Sequence, residues 1–368
     1  MKYYIIAGEA SGDLHASNLM RELRLRDPDT DFRCWGGDLM QAQGGHIVKH
    51  YRELAFMGFT EVLANIRTIL KNIAFCKKDI LDWKPDVVIL VDYPGFNLRI
   101  AEFVKEKGFK VFYYISPAIW AWKQNRIHKI KRSVDRMFTI LPFEEEFYNR
   151  FQMKVDFVGH PLLDSLEHTK EDELKLTSGK QLIALLPGSR RQEISRMLPV
   201  MLECSKAFPQ YQFIVAGAPS LPASYYETFL KGYDIKIVFG QTYGVLRNAY
   251  AALVTSGTAT LETGLFRVPE VVCYKGGTIS FQIAKSLVKI KYISLVNLIM
   301  DKEIVKELIQ DEFNLKNLKT ELINITSDKL KRDVQLQGLD DLKKKLGGAG
   351  ASARLADHMI KYLKPVHD

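Results

Sequence analysis

Short apolar runs and longer amphipathic stretches alternate along most of this chain. In the first half the runs are Tyr3–Ala7, Phe32–Trp35, Val87–Val91, Val111–Ile115 and Met137–Leu141. They are bounded by glycine, proline or aspartate, the pattern of strands buried on both faces. Ala16–Arg26, Leu98–Lys107 and Glu144–Phe151 carry helical periodicity between them. The second half repeats the theme at Leu182–Leu186, Phe213–Ala216, Ile235–Phe239, Ala252–Thr255 and Glu270–Tyr274. Such alternation predicts parallel sheets with right-handed crossovers. The expected fold is therefore α/β, with two Rossmann-like, doubly wound domains facing each other across a cleft.

The polar stretch His168–Lys180 is the predicted linker, separating a domain at 1–167 from one at 168–340. The remainder, 341–368, is helical and charged, broken by Gly347-Gly348-Ala349-Gly350. Its helix Ala351–Leu363 must bury a stripe of Leu355, Met359 and Leu363. Another domain or another subunit of a homo-oligomer would serve, and the pattern leaves both open.

Composition narrows the class. A chain of 368 residues, 47% hydrophobic and 26% charged, is globular and suits two domains. Its four cysteines lie far apart with no CxxC pair, as reduced core residues of a cytosolic protein do. No apolar run is long enough to cross a bilayer, and Lys2–Ala7 is too short for a signal peptide. A cytoplasmic location follows, unless the chain lies on a membrane surface. The net charge of +9 favours an anionic partner without choosing among nucleic acid, acidic lipid and phosphorylated substrate.

Three glycine-bearing turns carry the candidate chemistry: Gly8-Glu9-Ala10-Ser11-Gly12-Asp13, Leu186-Pro187-Gly188-Ser189-Arg190, and Ser256-Gly257-Thr258-Ala259-Thr260-Leu261-Glu262. Each follows an apolar run and leads into a helical pattern, aiming backbone N–H groups above the sheet. Arg190 beside such a turn can neutralise a diphosphate; the competing reading is a surface salt bridge. Glu262 can accept hydrogen bonds from ribose hydroxyls, or can simply complement a helix dipole. Together the turns predict a phosphate-plus-ribose site and a nucleotide-sugar enzyme.

Asp92, in Val91-Asp92-Tyr93-Pro94-Gly95-Phe96-Asn97, stands at the carboxyl end of a predicted strand, where open α/β sheets bind ligands. It is a candidate general base, with helix capping as the alternative. Gly8–Asp13 is neither GxGxxG nor a P-loop. His46 and His50 have helix spacing but no third ligand nearby, so they read as ordinary surface residues. Two segments suit a membrane surface. Phe56–Lys78 is amphipathic and basic, with Phe59, Ile66, Ile69 and Leu70 among its apolar positions and Arg67 and Lys71 beside them. Trp120 and Trp122 precede Lys123 and Arg126. The alternatives are a core helix and a solvated basic helix.

Taken together, these motifs resemble the lipid-A-disaccharide synthase family of bacterial glycosyltransferases, which has the GT-B architecture. The resemblance runs in order through Gly8–Asp13, Met57-Gly58, Asp86 to Asn97, Tyr114–Trp122, Leu141-Pro142-Phe143-Glu144 and Gly159-His160-Pro161. It continues through the Pro-Gly-Ser-Arg turn, Ser256–Glu262 and Ser294-Leu295-Val296-Asn297-Leu298, departing at Val296, where proline is expected in many relatives. It implies transfer of a 2,3-diacylglucosamine unit from UDP to the 6-hydroxyl of 2,3-diacylglucosamine 1-phosphate (lipid X). The linkage would be β-1,6, formed with inversion, without metal or cofactor.

On the same resemblance, Asp92 is the base, and Glu9, Ser11, Gly12 and Met57 line the acceptor side. Arg190, Gly188, Ser189, Ser256, Gly257, Thr258, Glu262 and Asn297 form the nucleotide side. The protein would sit peripherally on the anionic cytoplasmic face of the inner membrane, and no nucleic acid is expected. The rivals are another UDP-GlcNAc transferase, a UDP-GlcNAc 2-epimerase, and a basic membrane- or RNA-binding scaffold.

Overall fold

Valine, isoleucine and aromatic side chains that fill both faces of a pleated strand leave it stable only between two helical layers. A computed structural model, which describes residues 1–54, 66–168, 179–277 and 290–364, shows two such sandwiches. One unit comprises Met1–Glu167 with Gly348–Asp368, and the other His168–Gly347. Met57, Phe59 and most of the expected linker lie outside the described residues.

In the first unit the strands are β1 (Lys2–Ala7), β2 (Asp31–Gly36), β3 (His46–His50), β4 (Val87–Val91), β5 (Lys110–Tyr114), β6 (Arg136–Thr139) and β7 (Asp156–Phe157). They form one seven-stranded sheet in the order β3-β2-β1-β4-β5-β6-β7. Every pairing is parallel, with Ile5 of β1 opposite Cys34 of β2 and Ile89 of β4. Alternate residues feed opposite layers. Tyr4, Ile6, Val88, Leu90 and Tyr113 enter one core, and Tyr3, Ile5, Val87, Ile89 and Tyr114 the other.

The second unit has β8 (Leu182–Leu186), β9 (Gln212–Gly217), β10 (Lys236–Phe239), β11 (Ala249–Thr255), β12 (Glu270–Tyr274) and β13 (Lys306–Ile309). They run in the order β10-β9-β8-β11-β12-β13, again all parallel. In each sheet the chain winds outward one way and then returns to the other side of its first strand. The reversal falls between β1 and β4 in the first unit and between β8 and β11 in the second. A crevice opens at the carboxyl ends of the strands at such a point.

The C-terminal helix Ala351–Leu363 packs on this chain's own first unit. It buries Leu355, Ala356 and Met359 in that unit's core, with Leu363 partly buried alongside. Asp164 holds the start of this helix by accepting from the backbone N–H groups of Gly350, Ala351 and Ser352 at 2.7, 3.0 and 2.8 Å. The domain change expected at 341 falls instead at Gly348, because the helix Lys329–Lys345 runs through that position as part of the second unit. His46 and His50, spaced as on a helix, bracket the parallel edge strand β3.

Candidate functional site

Asp92 directly follows strand β4, and the chain then turns sharply into the helix Pro94–Glu106. Asp92 and Tyr93 both adopt left-handed backbone, with φ of 45° and 47°. Consecutive non-glycine residues in this region store strain that the surroundings must hold in place. Here they do. The Asp92 carbonyl accepts from the Tyr113 hydroxyl at 2.6 Å and the Asn97 amide at 2.7 Å, and the Asp92 N–H donates to the Tyr114 carbonyl at 2.9 Å. With its main chain clamped, Asp92 lines a small pocket together with Gly8, Glu9, Ser11, Gly12, Val91 and Tyr93. Gly8 is required there, since a Cβ would lie 2.4 Å from the Tyr93 ring.

Asp92 does not cap the following helix, whose N-cap, Tyr93, makes no side-chain capping bond. Burial and the nearby Glu9 charge lift the Asp92 carboxyl from 3.8 to about 6, with the Tyr93 backbone N–H opposing. That value suits a general base working near neutral pH. Asp13, in the same motif as Glu9, has a structural task. It accepts from the N–H groups of Gly37, Leu39 and Met40 at 2.8, 3.1 and 3.1 Å, capping the helix Asp38–Ala42.

In the second unit, β8 leads into the Gly188-Ser189-Arg190 turn and β11 into Ser256-Gly257-Thr258, so the two turns flank that sheet's reversal point. They differ in one respect. The N–H groups of Ser189 and Arg190, expected to await an anion, already donate to the Glu193 carboxylate at 3.0 and 3.2 Å. Gly188, at φ 110°, makes room for that carboxylate, because a Cβ would come within 2.6 Å of it. The Arg190 side chain stays 71% exposed, with only a 3.5 Å contact to Glu193. Arg191 instead lays its guanidinium over the Tyr225 ring at 4.6 Å.

The helix Thr258–Leu265 begins at Gly257 with no side-chain cap. Its first turn therefore offers N–H groups that no side chain among the described residues has claimed. Ser256 is tied by its hydroxyl to the Ile293 carbonyl at 3.0 Å. Glu262, one turn along the helix, accepts from the Tyr243 hydroxyl at 3.4 Å, and burial raises its pKa.

Asn297, expected to contact nucleotide, is fully buried and engaged at both ends of its amide. It donates to the Val305 carbonyl and to Glu307 at 2.8 and 2.9 Å, and accepts from the N–H groups of Ile304 and Val305 at 2.7 and 3.0 Å. It braces a loop and has no free group for a substrate. Val296, in place of the expected proline, sits buried in the first turn of the helix Leu295–Met300, which Ser294 caps.

The basic aromatic segments also divide. On the helix Ile66–Trp83, the side chains of Ile73, Cys76 and Ile80 enter the core and Ile69 packs against it. Ile66 and Leu70 remain 41% and 54% exposed. Trp120 packs edge-on against Phe143 at 5.0 Å and is partly buried at the core margin. Trp122 is 44% exposed, with Lys123 and Arg126 over its ring at 4.3 and 5.6 Å. No helix among the described residues is long and apolar enough to cross a membrane.

Tyr113, Asn97, Glu193 and Tyr243 belong to these sites and were not singled out by sequence. Only Glu193 left a signal there, its spacing from the glycine turn matching a helix-capping carboxylate.

Comparison with known proteins places this geometry. The family model described as lipid-A-disaccharide synthetase matches residues 3–356. A lipid-A-disaccharide synthase of Myxococcus xanthus is 38% identical over 98% of this chain and 97% of its own length. Among solved structures, the glycotransferase of kitacinnamycin has a TM-score of 0.69 at 14% identity, covering 99% of both chains. A UDP-GlcNAc 2-epimerase of Neisseria meningitidis, bound to UDP-GlcNAc, scores 0.67 at 12% identity, over 98% of this chain and 100% of its own. The last two likenesses concern the fold, which is that of GT-B glycosyltransferases and epimerases.

Proposed function

This chain belongs to the lipid-A-disaccharide synthase family, and we propose how its residues divide the family's reaction. The substrates are UDP-2,3-diacylglucosamine and lipid X, and the products are the lipid A disaccharide 1-phosphate and UDP. Asp92 is the base. As the acceptor 6-hydroxyl attacks the anomeric carbon, Asp92 takes its proton while the bond from that carbon to the UDP oxygen breaks on the opposite face. Inversion follows. The observation that carries this reading is a strained, clamped aspartate with a pKa of about 6 at the reversal point of the first sheet. Glu9, Ser11 and Gly12 border it on the acceptor side.

The second unit takes the donor. Negative charge grows on the diphosphate as the glycosidic bond breaks, and a guanidinium aimed there favours the transition state over the ground state. Arg190 supplies it, and the uncapped start of the helix Thr258–Leu265, through the backbone of Gly257 and Thr258, receives the phosphate oxygens, while Ser256, bonded to the Ile293 and Cys273 carbonyls, fixes the turn. Glu262 takes the ribose hydroxyls.

Both substrates are diacylated, so the enzyme must meet them at a bilayer. Ile66, Leu70 and Trp122, with Arg67, Lys71, Lys123 and Arg126, hold it peripherally on the cytoplasmic face of the inner membrane. The test is UDP release from UDP-2,3-diacylglucosamine on adding lipid X, with disaccharide 1-phosphate formed in equal amount. UDP release that ignores lipid X, or turnover of UDP-GlcNAc without any acceptor, would overturn the assignment.

A further inference from the structure

A carboxylate that reads two ribose hydroxyls must be held, because its side chain turns freely about several bonds. In the second unit one group holds Glu262. Tyr243 lies in the first turn of the helix Thr242–Asn248, which follows β10, and its hydroxyl donates to Glu262 Oε1 at 3.4 Å. The donor is itself fixed. Its ring lies tilted at 52° against Phe266, 5.2 Å between centroids, and Phe266 closes the helix that carries Glu262 and packs on the core beneath. The phenol and the carboxylate are thus anchored to the same short stretch of chain.

Among the described residues this is the one hydrogen bond made to the Glu262 carboxylate, and Oε2 is left without a protein partner. Glu262 is half-buried, so water competes less for that oxygen than at the surface. A hydrogen bond to a charged acceptor is worth more than a neutral one, and its loss is felt as selectivity.

We propose that Tyr243 is a positioning residue of the donor site: its hydroxyl fixes one oxygen of Glu262 so that the other is presented to ribose hydroxyls, selecting ribonucleotide over deoxyribonucleotide. This rests on the assignment of Glu262 to the ribose. A tyrosine that only packed against Phe266 would be replaceable by phenylalanine with no change in sugar selectivity.

The experiment is calorimetric titration of the full-length protein with UDP, 2′-deoxy-UDP and 3′-deoxy-UDP, for the wild type, Glu262→Gln, Tyr243→Phe and the double variant. Phenylalanine keeps the ring against Phe266, and equal thermal unfolding midpoints confirm that the fold is retained. The wild type should prefer UDP to at least one deoxy analogue by about tenfold or more. Tyr243→Phe should cut that preference several-fold by weakening UDP binding, with the affinity for the deoxy analogues little changed. In the Glu262→Gln background, Tyr243→Phe should change nothing further.

If Tyr243→Phe discriminates like the wild type while Glu262→Gln does not, the role of Tyr243 is refuted and the ribose assignment stands. Equal weakening towards all three nucleotides by Tyr243→Phe also refutes it, as would an unfolded Tyr243→Phe protein. A wild type without sugar preference, or a Glu262→Gln variant that keeps it, removes the ribose assignment and this inference together.

Discussion

Asp92→Asn separates a base from a structural aspartate, because the two roles predict opposite effects on stability. Asparagine has nearly the same shape and, like aspartate, tolerates the left-handed backbone found at φ 45°. The substitution therefore removes a charge and leaves the turn intact. Burial and Glu9 lift this carboxyl from 3.8 to about 6, so the folded protein holds the ionised form at a cost. That shift corresponds to at most about 3 kcal/mol, and partial access to water lowers the expected figure to about 1–2 kcal/mol.

The sign follows from linkage. Below about pH 4 the carboxyl is protonated in both folded and unfolded chains, and wild type and variant should be equally stable. Between about pH 4 and 6 the unfolded chain loses its proton first, so wild-type stability falls relative to the variant as pH rises. Above about pH 6 the deficit is complete, and Asp92→Asn should unfold at the higher temperature. Turnover should meanwhile drop by about 10²–10⁴, the usual loss on removing a general base.

The assays are thermal unfolding of both full-length proteins across this pH range and UDP release with lipid X as acceptor. Wild-type kcat/KM should decline below about pH 6 as Asp92 takes up its proton, and Glu9→Gln should move that decline to lower pH. A variant less stable than wild type at about pH 8 would mean the carboxylate makes a net favourable structural contact there. That result, or near-normal turnover, refutes the role given to Asp92.

Arg190→Ala should weaken donor binding and lower turnover, whereas Arg191→Ala, whose guanidinium rests on Tyr225, should do much less; equal effects in steady-state kinetics would contradict the division. Replacing Ile66, Leu70 and Trp122 with serine should release the protein from anionic vesicles in a sedimentation assay while sparing activity on detergent-dispersed substrates, because these side chains are exposed and hold no core. Wild-type binding should weaken with added salt without vanishing, since about 1 kcal/mol per basic residue near the surface is screened and the apolar contact is not. An unfolded serine variant would show that this surface belongs to the core after all.

The central strands were legible because their apolar runs need no neighbour to identify them. The edges were not. His46-Ile47-Val48-Lys49-His50 is half-exposed along its length and becomes β3 only by pairing with β2. At β13, Lys306-Glu307-Leu308-Ile309 mixes charge with apolar residues and is set by pairing with β12. Edge strands owe their state to tertiary partners more than to pattern. The two tryptophans show the same limit from the other side. Trp120 and Trp122 stand two residues apart in one motif, yet Phe143, more than twenty positions downstream, draws the first into the core margin and leaves the second outside.

The two glycine turns of the second unit show where motif reading stops and why. Both have a strand before them, a helix after them and small residues between, and by that pattern both are anion sites. Their difference lies outside the pattern. A carboxylate grows from the first turn of the helix Arg191–Ser205 and reaches back to fill the N–H groups of Ser189 and Arg190. The helix Thr258–Leu265 carries Thr258, Ala259 and Thr260 in its first turn and has no acid to reach back with; its Glu262 lies farther along, held by Tyr243. The first turn thus keeps its backbone N–H groups for its own carboxylate and leaves the Arg190 guanidinium exposed, while the second leaves the start of its helix without a side-chain cap. On the proposed reading, an anion between them would meet two unlike donors, one an exposed side-chain charge and the other a fixed dipole. That asymmetry suits a diphosphate whose charge changes during reaction better than two identical cradles would, since only the side chain can follow the oxygen that departs.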